Sequence, residues 1–370
     1  MRFKLYVGIF LAAVLFLAVG PGAATASVDA PGIAWQKLLG GSRWDEARSV
    51  RQAADGGYIL LGDSLSSLSG DVTGTTHGGT YSGDFWLVKT NPTGTIQWQK
   101  LLGGSKDEDG SSVQQTADGG YVAFGSTNSN ANGDVSGTNR GSNFPDYWIV
   151  KVSGTGTIQW ERLLGGSGQD SGRCVQQTSD GGYILLGTSS SNPSGEVTDT
   201  RNGDEDLWVV KMNATGVIQW NQLLGGSSTE EGYSVQQTSD GGYIILGSSK
   251  SSQTGDVTGT THGGFDFWVV RLNGSGAIQW QKQLGGSLDD VGYSVRQTAD
   301  GGYILLGESH SSASGDVTGS NHGVLNSIDF WVVKLNGSGA IQWQKLLGGS
   351  LDDNGRSVRQ TSDGGYVLLG

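Results

Sequence analysis

The sequence predicts an all-β fold built from one antiparallel unit repeated about six times. Three observations predict it. The string Asp-Gly-Gly-Tyr occurs six times, beginning at Asp55, Asp118, Asp180, Asp240, Asp300 and Asp363. The tryptophan of "IQWQKLLGG" and its variants falls at Trp35, Trp98, Trp160, Trp220, Trp280 and Trp343, at spacings of 63, 62, 60, 60 and 63 residues. Between these marks, apolar and polar residues alternate with period two, aromatic and β-branched types are frequent, and no helical period is sustained. Glycine (65 of 370) punctuates the apolar segments, while 12 tryptophans argue against disorder.

Each unit reads as four strands. Strand a is "AIQWQKQLGG" (277–286), strand b "YSVRQT" (293–298), strand c "GGYILLG" (301–307), and strand d "DFWVVRLN" (266–273) of the preceding copy. Asp-Gly-Gly tolerates the positive φ of a tight b–c hairpin, and "LNGSGAI" (272–278) does the same between d and the next a. From the glycine ending c to the aspartate opening d, the interval is 22, 21, 19, 19 and 22 residues, and the rest of each unit is 41 every time. A frame of constant size with variable loops predicts a β-propeller of about six four-stranded blades, an open linear stack being the rival. The sixth copy stops at Gly370, after strand c, so the last blade is expected to be incomplete and the chain truncated; the count is six each of a, b and c and five of d. The recurring tryptophans are expected to fill the space between blades. Trp44 lies outside both repeating positions and is expected to be exposed.

Residues 1–26 carry the layout of a secretory signal peptide: Arg2 and Lys4, an apolar run from Leu5 to Gly20, and Ala24-Thr25-Ala26 before Ser27. That run is shorter than the roughly 20 residues of a membrane span. The expected organisation is therefore leader 1–26, short linker 27–32 and repeat domain 33–370. The mature chain is expected to be a secreted or cell-surface monomer with no membrane span. Net charge is −12 for the chain and −14 without Arg2 and Lys4, with 21 basic against 35 acidic residues, which excludes nucleic acid as a partner. Cys174 is the only cysteine, so no intrachain disulfide forms, and it stands where other copies carry serine (Ser234, Ser294, Ser357).

"LLGGSLDDVGYSVRQTADGGYILLGESHS" (284–311) followed by "DFWVVKLNGSGAIQW" (329–343) resembles the bacterial β-propeller repeat family. The resemblance covers Ile33 to Gly370 and implies the fold and an exported, surface-associated life. It implies no catalytic residue. Cys174 and the insertion "VLNSI" (324–328) depart from the pattern.

In an up-and-down sheet the a–b and c–d loops share one face, and that face is acidic. The a–b loop carries Asp45, Glu108, Asp170, Glu230, Asp290 and Asp353. The c–d loop adds Asp71, Asp134, Glu196, Asp256 and Asp316, and strand d opens with Asp84, Asp146, Asp206, Asp266 and Asp329. Three readings stay open. The carboxylates hold loop amides and hydroxyls; or the a–b row binds calcium, which takes hard oxygen ligands; or one pair serves as acid and base in glycoside cleavage. His77, His262 and His322 recur seven residues after a loop glycine, on separate blades. No nucleophile triad, phosphate loop or Cys/His metal spacing is present. The expected function is a secreted, non-catalytic binding or scaffold module that meets a polysaccharide or surface protein through Trp44 and the c–d acids. The alternatives are a carbohydrate-active hydrolase, endoglucanase-like, and a structural spacer of a larger surface protein.

Overall fold

The computed structural model describes residues 32–79, 81–323 and 327–370, together with a short strand β1 (Leu15–Leu17). Apart from that strand, the expected leader (1–26) and most of the linker lie outside the described residues, as do 324–326 of the insertion. The described residues are all strand, turn and loop, with no helix long and apolar enough to cross a membrane.

Five four-stranded antiparallel sheets follow one another. The first runs β2 (Asp45–Gln52), β3 (Tyr58–Ser64), β4 (Asp84–Thr90), β5 (Ile96–Leu102). The second runs β6 (Glu108–Gln115), β7 (Tyr121–Thr127), β8 (Asp146–Val152), β9 (Ile158–Leu164). The third is β10 (Asp170–Gln177), β11 (Tyr183–Ser189), β12 (Asp206–Met212), β13 (Ile218–Leu224). The fourth is β14 (Glu230–Gln237), β15 (Tyr243–Ser249), β16 (Asp266–Leu272), β17 (Ile278–Leu284). The fifth is β18 (Asp290–Gln297), β19 (Tyr303–Ser309), β20 (Asp329–Leu335), β21 (Ile341–Leu347). The last sheet holds β22 (Ser357–Gln360) and β23 (Tyr366–Leu369), with β1 on the far side of β23. Each sheet packs on the next in chain order, a propeller-like arrangement.

One expectation is corrected. Each sheet is ordered b-c-d-a, not a-b-c-d, because the tight Asn-Gly turn binds strand d to the strand a that follows, whereas the Gly-Gly-Ser corner carries the chain to the next sheet. The first a segment (33–39) therefore has no d beside it and forms no strand. The recurring tryptophans do fill the space between sheets, but unequally: on edge strand a, Trp98, Trp160, Trp220 and Trp280 are half-buried against the core of the next sheet, as Trp98 meets Tyr121 at 5.7 Å, while Trp343 is 39% exposed. The sealed rings are the strand-d tryptophans Trp148, Trp208, Trp268 and Trp331, all 0% exposed. Each of these indole N–H groups donates to a polar side chain on strand a, such as Gln281 Oε1 at 2.8 Å from Trp268.

The second, third and fourth sheets end strand b in a Gln-Gln pair that ties them to their neighbours, where the first and fifth carry Arg51-Gln52 and Arg296-Gln297. Gln176 Oε1 accepts the backbone N–H of Gln237 in the next sheet at 2.6 Å, and Gln177 Oε1 accepts that of Ala117 in the previous one at 2.8 Å. The hairpin aspartates do more than close turns. Strand d ends in a buried cation (Lys89, Lys151, Lys211, Arg271 or Lys334), and the hairpin aspartate of its own sheet meets it. Lys211 Nζ donates to Asp180 at 2.8 Å, to the Met212 carbonyl at 2.9 Å and to Gln219 at 2.9 Å, so its buried charge is fully met.

Candidate functional site at the loop face and b strands

The a–b corner begins with Gly-Gly-Ser, whose second glycine N–H points at the acid four residues on. Gly41, Gly104, Gly166, Gly226, Gly286 and Gly349 donate to Asp45, Glu108, Asp170, Glu230, Asp290 and Asp353 at 2.6–2.8 Å. Loop hydroxyls complete the corner. Ser66 donates to Asp45 at 2.9 Å, Thr127 to Glu108 at 2.6 Å, Ser189 and Ser191 to Asp170, Ser249 to Glu230 at 2.7 Å, and Ser311 to Asp290 at 2.9 Å. Burial raises Glu108 to about 7 and Asp170 and Asp290 to about 6, against the opposing pull of these bonds. The first glycine of the corner is forced by the same crowding. A Cβ on Gly103 would strike Glu108 Oε2 and lie 2.8 Å from Asp84 Oδ1.

The c–d acids meet the corners from the other side. Asp71, Asp134, Glu196, Asp256 and Asp316 accept the N–H of Gly40, Gly103, Gly165, Gly225 and Gly285 at 3.2–3.4 Å. Four of them also meet a side chain from the preceding sheet: His77 Nε2 lies 3.5 Å from Asp134, Arg140 2.6 Å from Glu196, Asn202 3.5 Å from Asp256, and His262 Nε2 3.9 Å from Asp316. The histidines do not converge. Nδ1 of His77, His262 and His322 pairs with the strand-d aspartate of its own sheet at 2.6–3.0 Å. The other oxygen, Oδ1, of Asp84, Asp146, Asp206, Asp266 and Asp329 is buried without a hydrogen-bond partner. Among the described residues no group of three or more His, Cys, Asp or Glu is placed to hold a metal. Trp44 is 54% exposed beside this face.

The b strands, at the sheet edge opposite a, carry residues that the sequence reading passed over. Their second and fourth positions differ from sheet to sheet: Glu46 and Arg48, Asp109 and Ser111, Ser171 and Arg173, Glu231 and Tyr233, Val291 and Tyr293. The fourth residue is the extra one of a β-bulge in each of the five strands, which leaves it unpaired in the ladder. A bulge re-aims its side chain. The signal that marks these positions is variation inside an otherwise constant frame.

Their side chains form a seam across neighbouring sheets. Arg48 lies 3.1 Å from Glu46 and 3.7 Å from Asp63. Burial raises Asp63 to about 7, with Asp109 close enough to add to the rise. Further along, the Tyr233 hydroxyl donates to Glu231, and its ring meets Tyr293 at 4.8 Å. The Tyr293 hydroxyl donates to Glu308 at 3.2 Å, and Arg356 pairs with Glu308 at 3.1 Å while lying over the Tyr293 ring. Between the third and fourth sheets Gln169, Ser171, Arg173, Thr188, Glu205, Glu231 and Tyr233 line a small cavity that opens to solvent.

No family model matches the chain. A curated relative, the regulatory protein FlaEY of Caulobacter vibrioides, is 26% identical over 250 residues, or 63% of this chain. The chain matches only 24% of that protein's length. Among solved structures, a protein of unknown function from Bacteroides caccae covers 85% of both chains at 12% identity, with a TM-score of 0.45. Another of unknown function, from Dyadobacter fermentans, covers 90% of this chain and 97% of its own at 11% identity, with a TM-score of 0.49. At these scores the likeness carries no argument, and the propeller-like description rests on the repeated sheets themselves.

Proposed function

We propose that this chain is a non-catalytic binding and scaffold module that acts outside the cell, a member of the bacterial β-propeller repeat family, with its loop face turned to a polysaccharide or a surface partner. The observation that carries the reading is the corner. In sheet after sheet a carboxylate gives its oxygens to a glycine amide and loop hydroxyls, so the loops hold one fixed, repeated relief. A repeated relief suits a repetitive ligand. Glycoside cleavage instead needs one acid and one base about 5–9 Å apart across a single bond. The candidate pair is Asp63 on β3 and Asp109 on β6, whose carboxyls lie within hydrogen-bond reach of each other rather than across such a gap.

Retention on immobilised polysaccharides and on bacterial surfaces, measured with Trp44→Ala and Asp256→Ala, tests the reading. A binder loses retention stepwise as variants are combined. Release of reducing sugar that Asp63→Asn abolishes would overturn it in favour of a hydrolase, and retention on nothing would leave a spacer. Calcium at the corners belongs to the same proposal, supported by the unpartnered Oδ1 atoms beside the corner acids. A melting midpoint unchanged by calcium and chelator would remove it.

A further inference from the structure

We propose that the cavity between the third and fourth sheets is a binding site for a small zwitterion of amino-acid size, held between Arg173 and Glu205. Arg173 is the bulged residue of β10, so its guanidinium leaves the ladder and faces the cavity. Glu205 immediately precedes β12 and is fixed there by a bridge to Thr229 and by the Glu230 N–H on its carbonyl at 2.8 Å. The pairing is peculiar to this place. At the site equivalent to Glu205 the other copies carry Gly83, Pro145, Phe265 and Ile328.

Both charges lack partners. Arg48 and Arg356, which occupy equivalent positions, are each paired within the chain. Neither the Arg173 guanidinium nor the Glu205 carboxylate makes a hydrogen bond or ion pair among the described residues. Burial raises the Glu205 carboxyl, Glu231 and Asp204 add to the rise, and Arg173 and Arg201 oppose it, so both signs of charge act on this one carboxylate. A simple anion drawn to Arg173 would meet Glu205 and Glu231, and a simple cation drawn to them would meet Arg173. A molecule carrying both charges satisfies both. Its carboxylate takes the planar guanidinium fork, its ammonium takes Glu205, and Ser171, Thr188 and Tyr233 offer hydroxyls around it. The site stands apart from the polymer-binding reading, because loop-face variants test that one and variants at Arg173 and Glu205 test this one.

The experiment is calorimetric titration of the full chain with L-lysine and L-alanine, with acetate and methylammonium as single-charge probes. The expected result is binding of an amino acid, weakened about tenfold or more by Arg173→Ala and by Glu205→Gln. Because neither side chain has a partner to lose, both variants should melt within about a degree of the parent. Three results would each overturn the proposal: no binding of either amino acid, binding untouched by both variants, or acetate or methylammonium binding as tightly as the amino acids.

Discussion

Each sheet carries a carboxylate at both ends of strand b, and the two behave in opposite ways. At the hairpin end, Asp118, Asp180 and Asp300 face solvent on one side and a buried lysine on the other. Despite some desolvation, hydrogen bonds from Thr116 and Lys151 hold Asp118 at about 2, and Lys211 and Thr178 do the same for Asp180. Bonds from Thr298 and Lys334 bring Asp300 to about 2. At the corner end, Glu108, Asp170 and Asp290 are sealed among amides and hydroxyls with no cation near, and burial wins, lifting them to about 6–7. Similar carboxyl groups on one strand thus differ by several pH units. What separates them is whether a full positive charge or only dipoles meets the group.

The sharpest way to break this contrast is to remove a hairpin partner. Asp180→Ala leaves the Lys211 ammonium buried with one acceptor fewer, and unfolding in denaturant should show a loss of about 2 kcal/mol, below the roughly 3–5 kcal/mol of a fully buried pair because Asp180 itself is half exposed. An unchanged midpoint would mean the lysine is held by Met212 and Gln219 alone.

The next effect is the pH profile of the parent in calcium-free buffer. Groups raised by folding bind protons more tightly in the native state, so their contribution is full below their unfolded values and is lost as pH rises through the folded ones. For Glu108 and Asp146 at about 7, and Asp170, Asp206 and Asp290 at about 6, that loss runs from about pH 4 to pH 7. The lowered hairpin groups act in the reverse sense, losing their contribution as pH falls from about 4 toward 2. The melting midpoint should therefore peak near pH 4–5 and decline toward pH 8. A flat profile would show that the corners keep their charge at little cost.

A smaller effect isolates one corner. Glu108→Gln cannot ionise, so the difference in midpoint between pH 5 and pH 8 should shrink relative to the parent, while Asp118→Asn should leave that difference unchanged. The smallest concerns the joint between the third and fourth sheets. Ser112 and Ser234 accept backbone N–H groups from Val175 and Val295 at 3.3–3.4 Å, whereas Cys174 makes only a 3.8 Å contact from Sγ to the Val235 carbonyl. Cys174→Ser should restore the missing bond and stabilise by about 0.5–1 kcal/mol, read as a rise in the unfolding midpoint.

Much of the frame was legible because tight turns have residue signatures. Asp-Gly-Gly and Asn-Gly-Ser-Gly locate the hairpins, and period-two apolar segments locate the strands between them. The phase of the sheets was misread because the repeat unit was cut at tryptophan, although the tight turn already tied strand d to the next strand a. Which tryptophan is sealed was not legible, since Trp268 and Trp280 sit in equally apolar strings and differ only in lying on an inner and an edge strand. Val50 makes the same point. It is 52% exposed in the first sheet, while its counterparts Val113, Val235 and Val295 are sealed at 0–1% by the sheet before them. The acidic loops were found, but not their partners, because the corner is closed by a glycine amide and by serines some 20 residues away. The bulged residues were missed because a bulge leaves no residue type behind.

The paired glutamines have a consequence for how such a chain changes over generations. The joints from the second to the fifth sheet use one glutamine reaching forward and one reaching back, whereas the first and fifth copies carry Arg51 and Arg296 in the forward place and their joints to the following sheet keep only the glutamine reaching back. Duplicating or deleting one of the copies that carry the Gln-Gln pair would leave each remaining joint with at least its backward glutamine. Copy number can then drift by recombination between near-identical stretches of DNA, while the bulged side chains diversify one sheet at a time.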